Sequence, residues 1–288
     1  MRGHVIYLYA YDVAYEISIQ SVRDLLKEPS DFLQTRFDKT TPRDFPFYKP
    51  LSFTKAPMVL PFQGGTVKLY PEVKLFSFGA VSISYWLEFE VANISELLKY
   101  HALVFEDGKT MDGIANDLCE QVRSEIEPYL VKATSKIGNP EAYTIFWLKE
   151  VDHGKILIQE WLKVHQKEVA GLLTEETHFE KLSDHEVNET LRLSYFYTSQ
   201  DAFIVDWNSA LIIDPEEKPE ELLYIVEVAN LQLTEFRHYD QFLETFLDRA
   251  YDDIEIYSKN PPFLRGPGRM LRKLKEMRID LTKMSGEI

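Results

Sequence analysis

Cysteine is nearly absent: Cys119 stands alone in 288 residues. One thiol cannot close an intramolecular disulfide, so the fold must rest on a buried core, and a reducing compartment is the default setting. Long apolar runs are lacking too. No stretch approaches the ~18 residues of a membrane-spanning helix, and the start MRGHVIYLYAYD lacks the layout of a signal peptide because Asp12 interrupts it. Basic residues are in deficit: 32 Lys and Arg against 47 Asp and Glu leave a net charge of −15. Wide contact with nucleic acid needs cations to neutralise phosphates, so that class of partner is disfavoured. Motifs that carry chemistry by themselves are also missing. There is no Walker A, no GxGxxG, no HExxH, no GxSxG and no CxxC. Gly64-Gly65 and Gly266-Pro-Gly268 read as turns, since neither follows a strand and opens a helix as a phosphate cradle does. His178, His185 and Glu186 form the tightest histidine group, spread over a loop and a helix start, and indicate surface residues more than a metal site. No cofactor is implied.

What is present points to a globular protein. A hydrophobic content of 45% with 13% aromatics excludes the disordered class. Charge is uneven along the chain. Residues 265–283 hold seven basic side chains against two acidic ones, a local balance of +5, and residues 1–264 carry −19.

Alternating Val, Ile and Tyr predict a first strand over residues 4–11, and Ile19, Val22, Leu25 and Leu26 predict a helix over 18–27. Residues 29–65 carry six of the fourteen prolines, interleaved with aromatics. They read as an ordered wrapping loop or a flap over an edge strand. Residues 73–90 read as two strands hinged near Gly79. Asn93-Ile-Ser-Glu96 has capping-box form, opening a helix to about residue 105. A further helix spans 111–131, bent or ended near Pro128. A strand over 142–151, a helix over 155–173, a second capping box at Ser183-Asp-His-Glu186 and strands over 194–198, 202–205 and 209–213 follow. Residues 1–131 and 141–258 thus share a β-α-β-β-α order, either a structural duplication or a coincidence of common elements. The expected fold is α/β (α+β): a mixed-sheet body over 1–214, with halves 1–131 and 141–214, then a helical arm over 215–288.

That arm gives the strongest pattern. From residue 220 to 257 there is neither Pro nor Gly, and Pro219 suits a first helical turn. Apolar residues step by fours and threes through Leu222, Val226, Ala229, Leu233 and Phe236, pass Asp240, and continue through Leu243, Leu247, Ala250, Ile254 and Tyr257. This is a heptad seam with one polar interruption. Such a helix would be about 55–60 Å long, so part of it should pair with another helix. After the break Asn260-Pro-Pro-Phe-Leu-Arg-Gly-Pro-Gly268, Met270, Leu274, Met277, Leu281 and Met284 resume the stepping, which a helical hairpin or coiled coil explains. The methionines make a pliable seam. The second arm is short, which suggests a continuation past Ile288.

The best polar constellation lies in EVANLQLTEFRHYD (residues 227–240). Glu227, Asn230 and Thr234 share a helix face, with Arg237 one turn further, and Asn230 and Asp240 border or occupy the seam. Polar residues there fix register and partner; the sharper reading is an acid–base pair in a cleft.

Two runs resemble a known family. Tyr195-Phe-Tyr-Thr-Ser-Gln-Asp-Ala-Phe-Ile-Val-Asp-Trp-Asn-Ser-Ala-Leu-Ile-Ile-Asp-Pro215, followed by residues 227–240, resembles bacterial relatives of the YagE / required-for-meiotic-nuclear-division family. Phe76-Ser-Phe-Gly79-Ala-Val resembles that family's earlier hairpin. The resemblance implies a C-terminal helical pair and an apolar membrane segment, and it brings no catalytic residues. This chain would then be a cytoplasmic soluble portion, attached to a membrane through an extension it lacks. The expected function is a non-catalytic scaffold whose arm mediates self-association or protein docking, with Glu227, Asn230, Arg237, Asp240, Arg269, Arg272, Lys273 and Met277 as interaction residues. The basic stretch also suits an anionic membrane surface. The alternative is an enzyme with a polar pocket at the long helix.

Overall fold

A computed structural model describes residues 1–25, 50–151, 157–215, 219–259 and 275. In chain order its elements are β1 (Arg2–Asp12), β2 (Ala14–Ile17), α1 (Ile19–Leu25), β3 (Leu51–Thr54), β4 (Met58–Phe62), β5 (Gly65–Leu75), β6 (Ala80–Glu90), α2 (Met111–Ile126), β7 (Leu130–Ala133), β8 (Glu141–Glu150), α3 (Ile158–Leu173), α4 (Asp184–Thr190), β9 (Ser194–Tyr195), β10 (Ala202–Val205), β11 (Ser209–Ile213) and α5 (Glu220–Lys259). Short 3₁₀ helices lie at Ile94–Tyr100, Glu127–Tyr129 and Phe179–Lys181.

Alternation along β1 sets the centre. Val5, Tyr7, Tyr9 and Tyr11 turn to one face of the sheet and Ile6 and Leu8 to the other, and all six are buried, so the strand is covered on both sides. It runs antiparallel between β6 and β8. Beyond β6 comes β5, with β3 and β4 following one another along its far edge. Beyond β8 come β11, parallel to it, then β10 and β9, each antiparallel to its neighbour. Among the described residues the expected β-α-β-β-α repeat is not matched element for element, since the first half has β2, β3 and β4 besides and the second has α4 and β9, and the strands differ in sense. β1 is antiparallel to its neighbour β6, whereas β8 is parallel to β11, because the helical crossover from β8 returns the chain in the same direction.

Several expectations hold closely. Gly79 closes the turn between β5 and β6 at φ +94°, and Asn93 and Ser183 accept bonds from the backbone N–H groups of Glu96 and Glu186. Others need correction. The described part of the Pro-rich segment is mostly strand: β3 and β4 lie at the edge of the sheet, and residues 29–49 lie outside the described residues. The element after Asn93 is a 3₁₀ helix ending at Tyr100, short of residue 105.

One face of the sheet packs against α2, α3 and the 94–100 helix, burying Leu97, Ile114, Cys119, Val122, Trp161 and Leu172. Tyr9 and Tyr11 donate across this interface to Asp112 Oδ1 and Asn116 Oδ1 at 3.0 and 2.9 Å, and burial raises the pKa of both phenols. The opposite face receives the first turns of α5, where Leu222, Leu223 and Val226 pack on Ile6, Leu8, Ile145, Trp147 and Ile212. The described residues fall into two compact units, one up to Thr234 and one from Glu235 on.

The expected heptad seam does not match the buried face of α5 in the first unit. Val226 is buried, but Ala229 and Leu233 are exposed, and the buried side runs through Tyr224, Glu227, Asn230, Leu231 and Thr234. The sheet beneath is the reason, as the site makes plain. The second arm of the expected hairpin, residues 270–284, lies outside the described residues apart from Lys275.

Candidate functional site

The face under α5 changes character across the sheet. Over β1, β8 and β11 it is apolar. Over β5 and β6, strand alternation puts Glu72, Lys74, Ser82, Ser84 and Trp86 on that side, while Val73, Leu75, Val81, Ile83 and Tyr85 enter the opposite core. A helix crossing both regions must bring apolar residues down on one and polar residues down on the other.

Glu227 meets this demand. Its side chain is 4% exposed, with Oε2 2.6 Å from the Lys74 ammonium and Oε1 accepting from the Ser82 hydroxyl at 2.7 Å. Burial alone would lower the Lys74 pKa, but the Glu227 and Glu72 carboxylates outweigh it and hold the amine above its usual value. One turn on, Asn230 Nδ2 donates to the Glu141 carbonyl at the start of β8 at 2.9 Å. Thr234 returns its hydroxyl to the Asn230 carbonyl at 2.9 Å, a common way for a helical threonine to satisfy itself. Beside these groups is a cleft of about 50 Å³, lined by Glu72, Lys74, Ser84, Trp86, Glu220 and Tyr224 among others. That holds a few water molecules, whereas pockets for organic ligands run to roughly 300–1,000 Å³.

An ammonium held protonated is neither a nucleophile nor a base, and both oxygens of Glu227 are engaged. The arrangement acts as an anchor that fixes the helix on the sheet. Of the residues singled out from sequence, Glu227 and Asn230 are thus brought together over the sheet. Arg237 and Asp240 are exposed and belong to the second unit. Arg269, Arg272, Lys273 and Met277 lie outside the described residues. Sequence pattern alone does not single out Lys74 and Ser82, which stand about 150 residues from Glu227 in the chain. The one available signal was serine rather than a charged residue at 82 and 84 on the supposed outer face of β6. Among the described residues no group of three or more His, Cys, Asp or Glu converges on a metal position, and no helix is long and apolar enough to cross a membrane.

Residues 2–220 match the family model described as uncharacterized protein MJ0711, N-terminal domain. A relative described as uncharacterized protein MJ0711, from Methanocaldococcus jannaschii, is 27% identical over 127 residues, 44% of this chain. The match spans 37% of that relative's length. No solved structure matches the chain. These matches overturn the resemblance to the YagE family. That resemblance rested on short runs in which a hairpin of Ile and Val precedes an amphipathic helix, a pattern that sheet-on-helix packing imposes on many unrelated chains. The membrane segment it implied loses its support as well.

Proposed function

The chain belongs to the MJ0711 N-terminal domain family, and from that premise we propose a non-catalytic interaction protein whose long helix joins a second copy of the chain. One observation carries this reading. In the first turns of α5, Glu227, Asn230 and Thr234 are buried while Ile225 and Leu233 are 42% and 40% exposed. The sheet beneath accounts for the buried polar groups, and the apolar side chains left in solvent on the other side of the helix are the ones a partner would cover. Further along the same helix Phe236 and Leu247 are about half exposed.

Charge selects the occupant. Residues 220–259 carry ten acidic and three basic side chains, so two α5 helices laid side by side repel. The surface that complements α5 is apolar and basic. Residues 265–283 of a second copy carry both kinds of side chain, Met277 among the apolar ones and Arg269, Arg272 and Lys273 among the basic ones. An enzyme working at the anchor has less support, given the size of the cleft and the engaged oxygens of Glu227.

Light scattering over a range of concentrations tests the proposal. The expected result is a self-associating species that Leu233→Glu or Met277→Glu converts to monomer with unchanged thermal unfolding. A strict monomer at every concentration removes the reading. So does a monomer that sediments with anionic vesicles, since the basic stretch would then meet lipid.

A further inference from the structure

The turn between β10 and β11 carries Trp207 with 90% of its surface exposed, yet its backbone is firmly held. The Asp206 N–H donates to Ser209 O and the Thr144 N–H to Asn208 O, both at 2.9 Å. Beneath the turn, the Tyr143 hydroxyl is shared between Asp206 O at 2.8 Å and Ser209 O at 2.7 Å. Ser209 Oγ in turn donates to Leu173 O at 2.8 Å inside the core. A large side chain on a pre-ordered backbone has little left to lose on binding, and this is what makes tryptophan a frequent interface anchor.

The surroundings state what kind of group would meet it. The Asp206 carboxylate accepts from the backbone N–H of Trp207; burial lifts its pKa, and the Glu186 carboxylate adds to the rise. Glu186 is exposed on α4. An indole bordered by carboxylates suits a guanidinium or ammonium, which can lie over the ring while the carboxylates take its charge. The same acidity repels an anionic lipid surface.

We propose that Trp207, with Asp206 and Glu186, docks a cationic segment of a protein partner, an Arg or Lys side chain stacking on the indole. This proposal rests on the β10–β11 turn and stands whether or not a second copy binds α5. The test uses the full chain and an oligo-arginine peptide. Trp147 and Trp161 are buried and Trp86 is half-buried, so the long-wavelength edge of the tryptophan emission reports Trp207. The expected result is quenching of that edge on peptide addition, with binding weakened by salt. Trp207→Ala, which should melt as the wild type does, binds about 30-fold more weakly, the size of a hot-spot truncation. Glu186→Gln weakens binding by a smaller factor. Equal affinity in Trp207→Ala overturns the proposal, because the peptide would then be bound by the acidic body at large. A long-wavelength edge that responds to zwitterionic vesicles and not to peptide also overturns it, and assigns Trp207 to a lipid interface.

Discussion

The Lys74–Glu227 pair shows how one residue can hold an element in place. Two charges taken out of water are costly singly and tolerable together. Lys74→Met should therefore cost about 3–5 kcal/mol of unfolding free energy by leaving a buried carboxylate unpaired. Lys74→Met combined with Glu227→Leu should recover most of that loss. Urea denaturation of the single and double variants would measure both; additive losses would mean that the pair is not coupled. His101 offers a second measurement. Its ring is almost fully buried, with Nε2 against the Leu172 carbonyl, Nδ1 3.3 Å from a Glu175 carboxylate oxygen, and Phe146 edge-on. Burial outweighs those acceptors and keeps its pKa below the ordinary 6.5. As pH falls through 6.5 the unfolded chain takes up this proton before the folded one, so stability present above that pH is lost below it. His4, stacked on Trp147 and likewise lowered by burial, adds to the loss. His101→Gln, which can still donate to Leu172, should flatten the decline; an unchanged pH profile would exclude His101 as its source.

At the scale of elements, local chemistry explains most of what was foreseen. Caps at Asn93 and Ser183 work because a side-chain oxygen can satisfy a helix's free N–H groups wherever the chain goes next. Proline placed the segment after residue 50 correctly at the margin of the sheet, though as strand. Pro61 lies in β4, opposite Thr66 on the edge of the sheet, where a missing N–H is tolerated. Gln63 and Gly64, at φ +50° and +74°, make the tight hairpin turn that follows. Gly79 is the most constrained position. At φ +94° it lies where a Cβ would come within 1.7 Å of the Ala14 carbonyl oxygen, and its own carbonyl accepts from Val13 and Ala14. Gly79→Ala should destabilise by about 1–3 kcal/mol from backbone strain alone, and by more from the displaced Ala14. A melting temperature equal to wild type would show that the turn can rearrange freely.

For the molecule as a whole, charge and length decide what association demands. The −15 total conceals an acidic body and a +5 stretch, so association through them should weaken between low salt and about 0.5 M, as exposed charges are screened. Light scattering at both ionic strengths would detect the change, and salt-independent association would point to apolar contact alone. The sequence by itself marked the central strands of the sheet, the unbroken helical stretch from residue 220 and its polar group, because alternation, caps and the lack of Pro and Gly are local properties of the chain. It also exposed Glu227 and Asn230 as unusual. It could not determine which face of α5 goes down, since that depends on whether the surface beneath is apolar or polar, and that surface is assembled from strands far away in the chain. Tertiary structure set Lys74 and Ser82 under Glu227, turned Leu233 outward, and gave β8 a parallel neighbour where β1 has an antiparallel one. Each of these follows from pairing over long sequence separations, where a buried charge must find a counter-charge and each strand must find an edge.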